Sequence, residues 1–334
     1  MLYAKLEIND TLYVFLHAEQ IYRNFSLCDD DLGYFNHELA ETTVGDIYNY
    51  IKKNSTPNSV VFDFAEIIEA HNITEWIERI INYCRKHSKN FAFCRMNEKL
   101  YKESKTKLEN KLGEEDEIIT DFNSASKKEI TDTEIFEIYQ KAIAEEIKSK
   151  YLIEREGKDS YSHSSNVQLP KYINIKAFIE QKDISFLGLY LLCKKAIQKE
   201  LVGYGKQPLL FFSSMAGSYL ASVFSKLACI DMVFLNHLGP KKKLYRELHK
   251  EQLLADRDYL IISDVVCLGA EIERAKTLIE HAGGKLKGIL SVVFVEVVSE
   301  RPKTENEIEK ATLLTLTKEY NPIDYQIITD FPKI

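Results

Sequence analysis

Apolar and polar positions alternate from the start of the chain, with Leu2, Ala4, Leu6 and Ile8 on one side and Tyr3, Lys5 and Glu7 on the other. A period of two predicts a half-buried strand. Asn9-Asp10 predicts a turn, and residues 11–17 a second strand. Residues 59–64 (SVVFDF) form a short β-branched run, and Ile73, Ile77, Ile80, Ile81 and Cys84 then recur at helical spacing. Phe91 to Cys94 predicts a buried strand, and residues 97–111 a charged helix. Residues 113–131 (GEEDEIITDFNSASKKEIT) show no apolar face and predict a solvated connection. The acidic run Glu114 to Glu117 is read as hydrated surface rather than a cation site.

Beyond the connection the pattern changes to strands alternating with helices. Ile135, Ile138, Ala142 and Ile143 give one apolar side to a helix over 133–150. Strands are predicted over 209–212, 232–235, 259–262 and 286–298, with helices over 219–227 and 271–281. Gly283-Gly284 suits a helix stop, because glycine takes the left-handed cap conformation without steric cost. Apolar strands alternating with helices predict a parallel sheet covered on both faces. Such sheets bind ligands outside the carboxyl ends of their strands, so chemistry is expected in the turns that follow them.

Composition changes this picture little. A chain of 334 residues, 45% hydrophobic and 28% charged, suits two soluble domains. No apolar stretch approaches the ~20 residues of a membrane span. The opening MLYAKLEIND lacks the basic and apolar regions of a signal peptide, so a cytoplasmic location is expected. The net charge of −7 weighs against nucleic acid as main ligand, since phosphate neutralisation needs a basic surplus. Six scattered cysteines without a CxxC pair read as buried thiols, and no metal site is expected.

The strand–helix–strand–helix order around VVFDF resembles the small STAS-like domains, which implies a regulatory or partner-binding role for residues 1–115. The run Tyr259-Leu-Ile-Ile-Ser-Asp264-Val-Val-Cys267-Leu-Gly269-Ala-Glu271 resembles the phosphoribosyl-pyrophosphate loop of type I phosphoribosyltransferases. In that family two adjacent acids hold the ribose hydroxyls, and a turn rich in Thr, Ser and Gly wraps the 5′-phosphate. A helix start offers free N–H donors and a positive dipole end for this purpose. Residues 163–174 (HSSNVQLPKYIN) resemble the early segment of the orotate-type branch. Ser213-Ser-Met-Ala-Gly-Ser218 matches the place of the pyrophosphate loop, and residues 238–246 (LGPKKKLYR) the basic segment that closes over pyrophosphate.

The resemblance implies a fold class of α/β: a small αβ, STAS-like domain over 1–115, then a doubly wound parallel-sheet phosphoribosyltransferase-like domain over 131–334. The ligand-binding residues it implies are Ser213, Ser214, Gly217 and Ser218, then Lys241, Lys242 and Lys243, then Asp264, Cys267, Gly269 and Glu271. It assigns no catalytic residue.

The loop departs from the family pattern in three places. Ser263 stands for the first acid, Cys267-Leu268 for a hydroxyl pair, and Glu271 for a hydroxyl that would meet the 5′-phosphate. A carboxylate ~4 Å from a phosphate charge repels it by about 4 kcal/mol at an effective dielectric of ~20. That is nearly three decades of affinity, at ~1.4 kcal/mol per decade. Blander readings stand beside these. Glu271 suits a first helical turn through the dipole, Asp264 could be a cap, Lys241–Lys243 a solvated loop, and Cys267 a small buried apolar residue.

The expected function is therefore a degenerate phosphoribosyltransferase-like regulatory or effector subunit that binds a nucleotide-like ligand, a protein partner or both. The alternative is an active transferase or nucleotide-processing enzyme with a remodelled loop. Asp264 would then hold ribose and Lys241–Lys243 stabilise a leaving anion. Magnesium is expected only if phosphoribosyl pyrophosphate still binds. A homodimer follows by analogy with the family, and a bacterial defence or signalling system is the setting envisaged.

Overall fold

The computed structural model describes residues 3–16, 38–39, 41–54, 57–65, 67, 69–70, 74–96, 100, 132–154, 161–162, 167–168, 171–203, 207–213, 215–235, 253–267, 269–297, 308–321 and 326–329. The connection over 113–131, and all but Leu100 of the charged helix expected over 97–111, lie outside them. The chain divides into two compact units, Met1–Ala142 and Ile143–Ile334.

The first unit opens with strands β1 (Tyr3–Ile8) and β2 (Thr11–Leu16), paired antiparallel. Asn9 and Asp10 both take positive φ, 46° and 64°, as a two-residue hairpin turn matched to strand twist requires. The short strand β3 (Glu38–Leu39) leads into helix α1 (Glu41–Lys53), followed by β4 (Ser59–Asp63) and the short β5 (Glu69–Ala70). Helix α2 (Thr74–Lys86) and strand β6 (Asn90–Cys94) come next. The sheet order is β1-β2-β4-β6, with β2, β4 and β6 mutually parallel. Its core joins Val14, Leu16, Val60, Phe62 and Phe93 of the sheet to Ile47, Ile51, Ile77, Ile80 and Cys84 of the helices.

Asp63 ends β4 at 0% exposure, and burying a bare carboxylate there would be costly. Arg95 offsets that cost with a fork: Nε donates to Oδ1 at 2.8 Å and a terminal nitrogen to Oδ2 at 2.5 Å. The Ala65 amide donates to Oδ1 at 3.1 Å, and the Tyr139 hydroxyl to Oδ2 at 2.8 Å. Arg95 reaches this geometry with φ 55° just past the end of β6. Burial, then the adjacent Asp63 charge, holds the Tyr139 phenol well above its ordinary pKa. Tyr139 lies on helix α3 (Asp132–Lys150), whose buried stripe is Ile135, Tyr139, Ile143 and Ile147. The stripe expected from spacing is thus rotated, with Ile138 and Ala142 only partly buried. The polar-tipped Tyr139 takes the inward position because its hydroxyl has a carboxylate to reach.

The second unit begins with the rest of α3 and four short strands, β7 (Leu152–Glu154), β8 (Tyr161–Ser162), β9 (Val167–Gln168) and β10 (Lys171–Ile173). Helices α4 (Ile175–Glu180) and α5 (Lys182–Gln198) follow. The Asn174 side chain caps α4 by accepting from the Ala177 amide at 3.2 Å. Then come β11 (Leu209–Phe212), α6 (Met215–Ala228), β12 (Met232–Phe234), β13 (Asp258–Val266), α7 (Ala270–His281), β14 (Lys285–Val297), β15 (Glu309–Asn321) and β16 (Gln326–Thr329). The sheet has eight strands in the order β12-β11-β13-β14-β15-β16-β9-β8. From β12 to β15 every pairing is parallel.

Helices cover both faces of this sheet. Ile272, Ala275, Leu278 and Ile279 of α7 pack on Leu209, Phe211, Tyr259, Ile261 and Ile289. On α5, Gly188 leaves room for Leu313 of β15 and Phe178 of α4, which would lie 3.1 and 3.2 Å from a Cβ. This is the doubly wound parallel α/β sheet expected from the alternating pattern. Among its parallel strands the order, counted from β11, is 2-1-3-4-5, so the winding direction reverses between β11 and β13.

Two expected outcomes test these packing arguments. Asp63→Ala, which removes the carboxylate that the buried Arg95 fork holds, lowers unfolding free energy by about 3–5 kcal/mol in denaturant titration. Lys195 on α5 is half-buried, donates to the Thr312 carbonyl at 2.7 Å, and has its pKa lowered to about 8 by burial and by Lys199. Its unfolded value is higher, so between pH 8 and about 10 the unfolded chain holds more protons and stability rises with pH. Lys195→Met accordingly raises the melting temperature at pH 7, and the gain shrinks by pH 10.

Candidate functional site

Ligands of open α/β sheets settle outside the carboxyl ends of strands, at the point where winding direction reverses. Here that point lies between β11 and β13, which pair in register from Leu209↔Tyr259 to Phe211↔Ile261. The segments leaving those ends are Ser213 into α6 and residues 267–271 into α7. Both were singled out by the sequence.

The structure brings the two together. The Ser213 hydroxyl donates to Oε1 of Glu271, a contact between residues 58 positions apart. Glu271 sits exposed in the first turn of α7, beside Glu273. The N-cap is Gly269, in the left-handed conformation with φ 74° and no side chain to satisfy the helix amides. In this turn the Glu273 amide donates to the Gly269 carbonyl at 2.9 Å. The first helical turn thus carries acids at the positive end of the dipole, and Glu271 is the one turned toward Ser213.

Asp264 is not the cap that one reading of the sequence allowed. It lies inside β13, which runs four residues beyond the predicted end because pairing with β14 continues to Val266↔Phe294. Its Oδ1 accepts from the Val265 amide at 2.8 Å and from the Ser263 hydroxyl at 3.4 Å. Cys267 is half-buried rather than fully enclosed. Gly217 is buried and Ser218 half-buried in the first turns of α6. Ser214, Lys241, Lys242, Lys243, His163, His237 and Leu268 lie outside the described residues.

One residue of this region escaped sequence reasoning. Ser291 of β14 is in register with Ser263, and its hydroxyl is fully buried with no hydrogen-bond partner among the described residues. A serine inside the apolar run LKGILSVVFVEV was the signal. Among the described residues no group of His, Cys, Asp and Glu could hold a metal ion, and no helix is long and apolar enough to cross a membrane.

No protein-family model and no curated protein matches the sequence. Solved structures do match. Adenine phosphoribosyltransferase from Thermoanaerobacter pseudethanolicus aligns at 16% identity and a TM-score of 0.39, over 51% of this chain and 98% of that one. Orotate phosphoribosyltransferase from Aeropyrum pernix aligns at 12% identity and 0.36, over 53% and 93%. A hypothetical protein from Neisseria gonorrhoeae with bound ppGpp aligns at 14% identity and 0.31, over 41% and 81%. The structural neighbours of this chain thus include type I phosphoribosyltransferases, at low identity and over about half its length.

The Ser213–Glu271 contact gives a direct test. A double-mutant cycle with Ser213→Ala and Glu271→Ala, read by denaturant unfolding, yields a coupling of about 1 kcal/mol, as for a hydrogen bond to a charged group at a partly exposed site. Simple additivity of the two substitutions would show that the segments do not meet in solution.

Proposed function

We propose that the second unit is a ligand-binding regulatory or effector module that does not carry out phosphoribosyl transfer. A nucleotide-like ligand occupies the crevice between the ends of β11 and β13, and its occupancy is read by a protein partner. The first unit, with its STAS-like strand and helix order, is the part assigned to that partner. The observation that carries the proposal is the hydrogen bond from Ser213 to Glu271. It engages one of the small hydroxyl groups at the crevice and fixes a carboxylate at the start of α7.

Transfer chemistry gains its rate from donors aimed at developing negative charge. A helix start that turns Glu271 toward Ser213 works in the opposite direction. Asp264 keeps the one acid able to accept from ribose hydroxyls, which supports ligand binding without supplying a route for pyrophosphate to leave.

Calorimetric titration with phosphoribosyl pyrophosphate and magnesium tests this reading. Wild-type protein gives no saturable heat, and Glu271→Thr gains weak binding. Micromolar binding by wild type sinks the proposal and favours the active transferase.

A further inference from the structure

Lys195 lies in the last turn of α5, and its side chain is half-buried against the sheet. Its Nζ donates to the main-chain carbonyl of Thr312 on β15 at 2.7 Å. Lys199 follows one helical turn later. The Lys199 amide donates to the Lys195 carbonyl at 3.0 Å, so the two side chains stand at the i, i+4 spacing of neighbours on a helix. Lys199 is bridged in turn to Glu309 of β15, Nζ to Oε2 at 2.8 Å, at an exposed site. Two amines of α5 thus converge on one stretch of β15, Glu309 to Thr312.

Closing the Thr312 carbonyl needs an N–H from Lys195, and a neutral amine supplies one as well as an ammonium does. The charge itself is disfavoured twice over. Burial strips water from the ammonium, and the Lys199 cation repels it; together, burial first, they hold the Lys195 pKa down to about 8. At pH 7.5 about a quarter of such a group is neutral, against roughly one in a thousand for an ordinary exposed lysine. Desolvation and a neighbouring cation are also what turn a lysine into a nucleophile.

The surroundings select the electrophile. An aldehyde would leave an iminium cation beside Lys199, and a like-charge pair at this spacing is destabilising. An electrophile that leaves an anion would instead give Lys199 a second partner. We infer that Lys195 is a carbamylation site that takes carbon dioxide. The Nζ lone pair attacks the carbon and a C–N bond forms. One C=O π pair moves onto oxygen, and one N–H proton passes to water, leaving Nζ–H and a carboxylate with nothing oxidised or reduced. The remaining N–H keeps the bond to the Thr312 carbonyl, and the new carboxylate pairs with Lys199. The modification turns a cation on α5 into an anion and does not depend on the crevice between β11 and β13.

The experiment equilibrates the full chain with isotopically labelled bicarbonate and carbon dioxide at pH 7.5. Carbamates are then trapped with triethyloxonium and located by peptide mass spectrometry. Lys195 carries the trapped label at least tenfold above its neighbours Lys194 and Lys199, as the difference in neutral fraction requires. In denaturant, where burial is lost, the three label alike. Lys199→Gln, with folding checked by its melting curve, lowers Lys195 occupancy about threefold, because a repulsion before reaction and an attraction after it are both removed. Equal labelling of the three lysines in folded protein, or a Lys195 preference that survives denaturation, overturns the inference.

Discussion

Parallel pairing of Leu209–Phe212 with Asp258–Val266 is the constraint on which the candidate site depends. It brings two strands separated by roughly fifty residues side by side with their carboxyl ends aligned. Because the chain winds away from them in opposite directions, these ends are where open α/β sheets bind ligands, and here the Ser213–Glu271 contact joins the two segments that follow. Apolar burial on both faces fixes the register: Leu210 and Leu260 on one side, Phe211 and Ile261 on the other, are all enclosed. A one-residue slip would turn each of these outward or into the wrong helix layer. Register, in turn, sets the distance at which Ser213 and Glu271 can bond.

What the crevice can do follows from charge more than from shape. A helix start and a run of small residues make an anion site only while the local charge stays positive or neutral. On the proposed reading Glu271 reverses that condition with a single side chain, which a hydrogen bond from Ser213 holds in place. The first unit shows the contrasting arrangement. Asp63 is buried as a carboxylate, but Arg95, Tyr139 and the Ala65 amide fill its acceptor sites. That cluster is closed and belongs to packing, whereas Glu271 is exposed to incoming ligand.

Much of the second unit was legible because its strands are short apolar runs bounded by polar turns. The strands at 209–212 and 232–235 and the helix at 271–281 came within one residue of their observed limits. Helix α5 was missed because SFLGLYLLC is apolar around its whole circumference, so no amphipathic period marks it; Leu187, Leu189, Leu191 and Leu192 are all buried. Strand β15 was missed because EKATLLTLTKEYN carries threonines and charges that read as surface, although Ala311, Leu313, Leu314 and Leu316 are enclosed. In the site, Glu271 was identified from the loop pattern alone. Its bond to Ser213 was not, since no local spacing links residues so far apart. Ser291 was hidden for a related reason: an unpaired hydroxyl is a property of its surroundings rather than of its neighbours in sequence.

The claim that the start of α7 is closed to phosphate by its own carboxylates has one most direct test. Inorganic phosphate is titrated into isotopically labelled protein while the backbone amide signals of Gly269 to Glu273 are followed by NMR. The account predicts no saturating shift at these amides in the wild type. Saturating shifts there at millimolar phosphate would show that the helix start still binds the anion, and would contradict it.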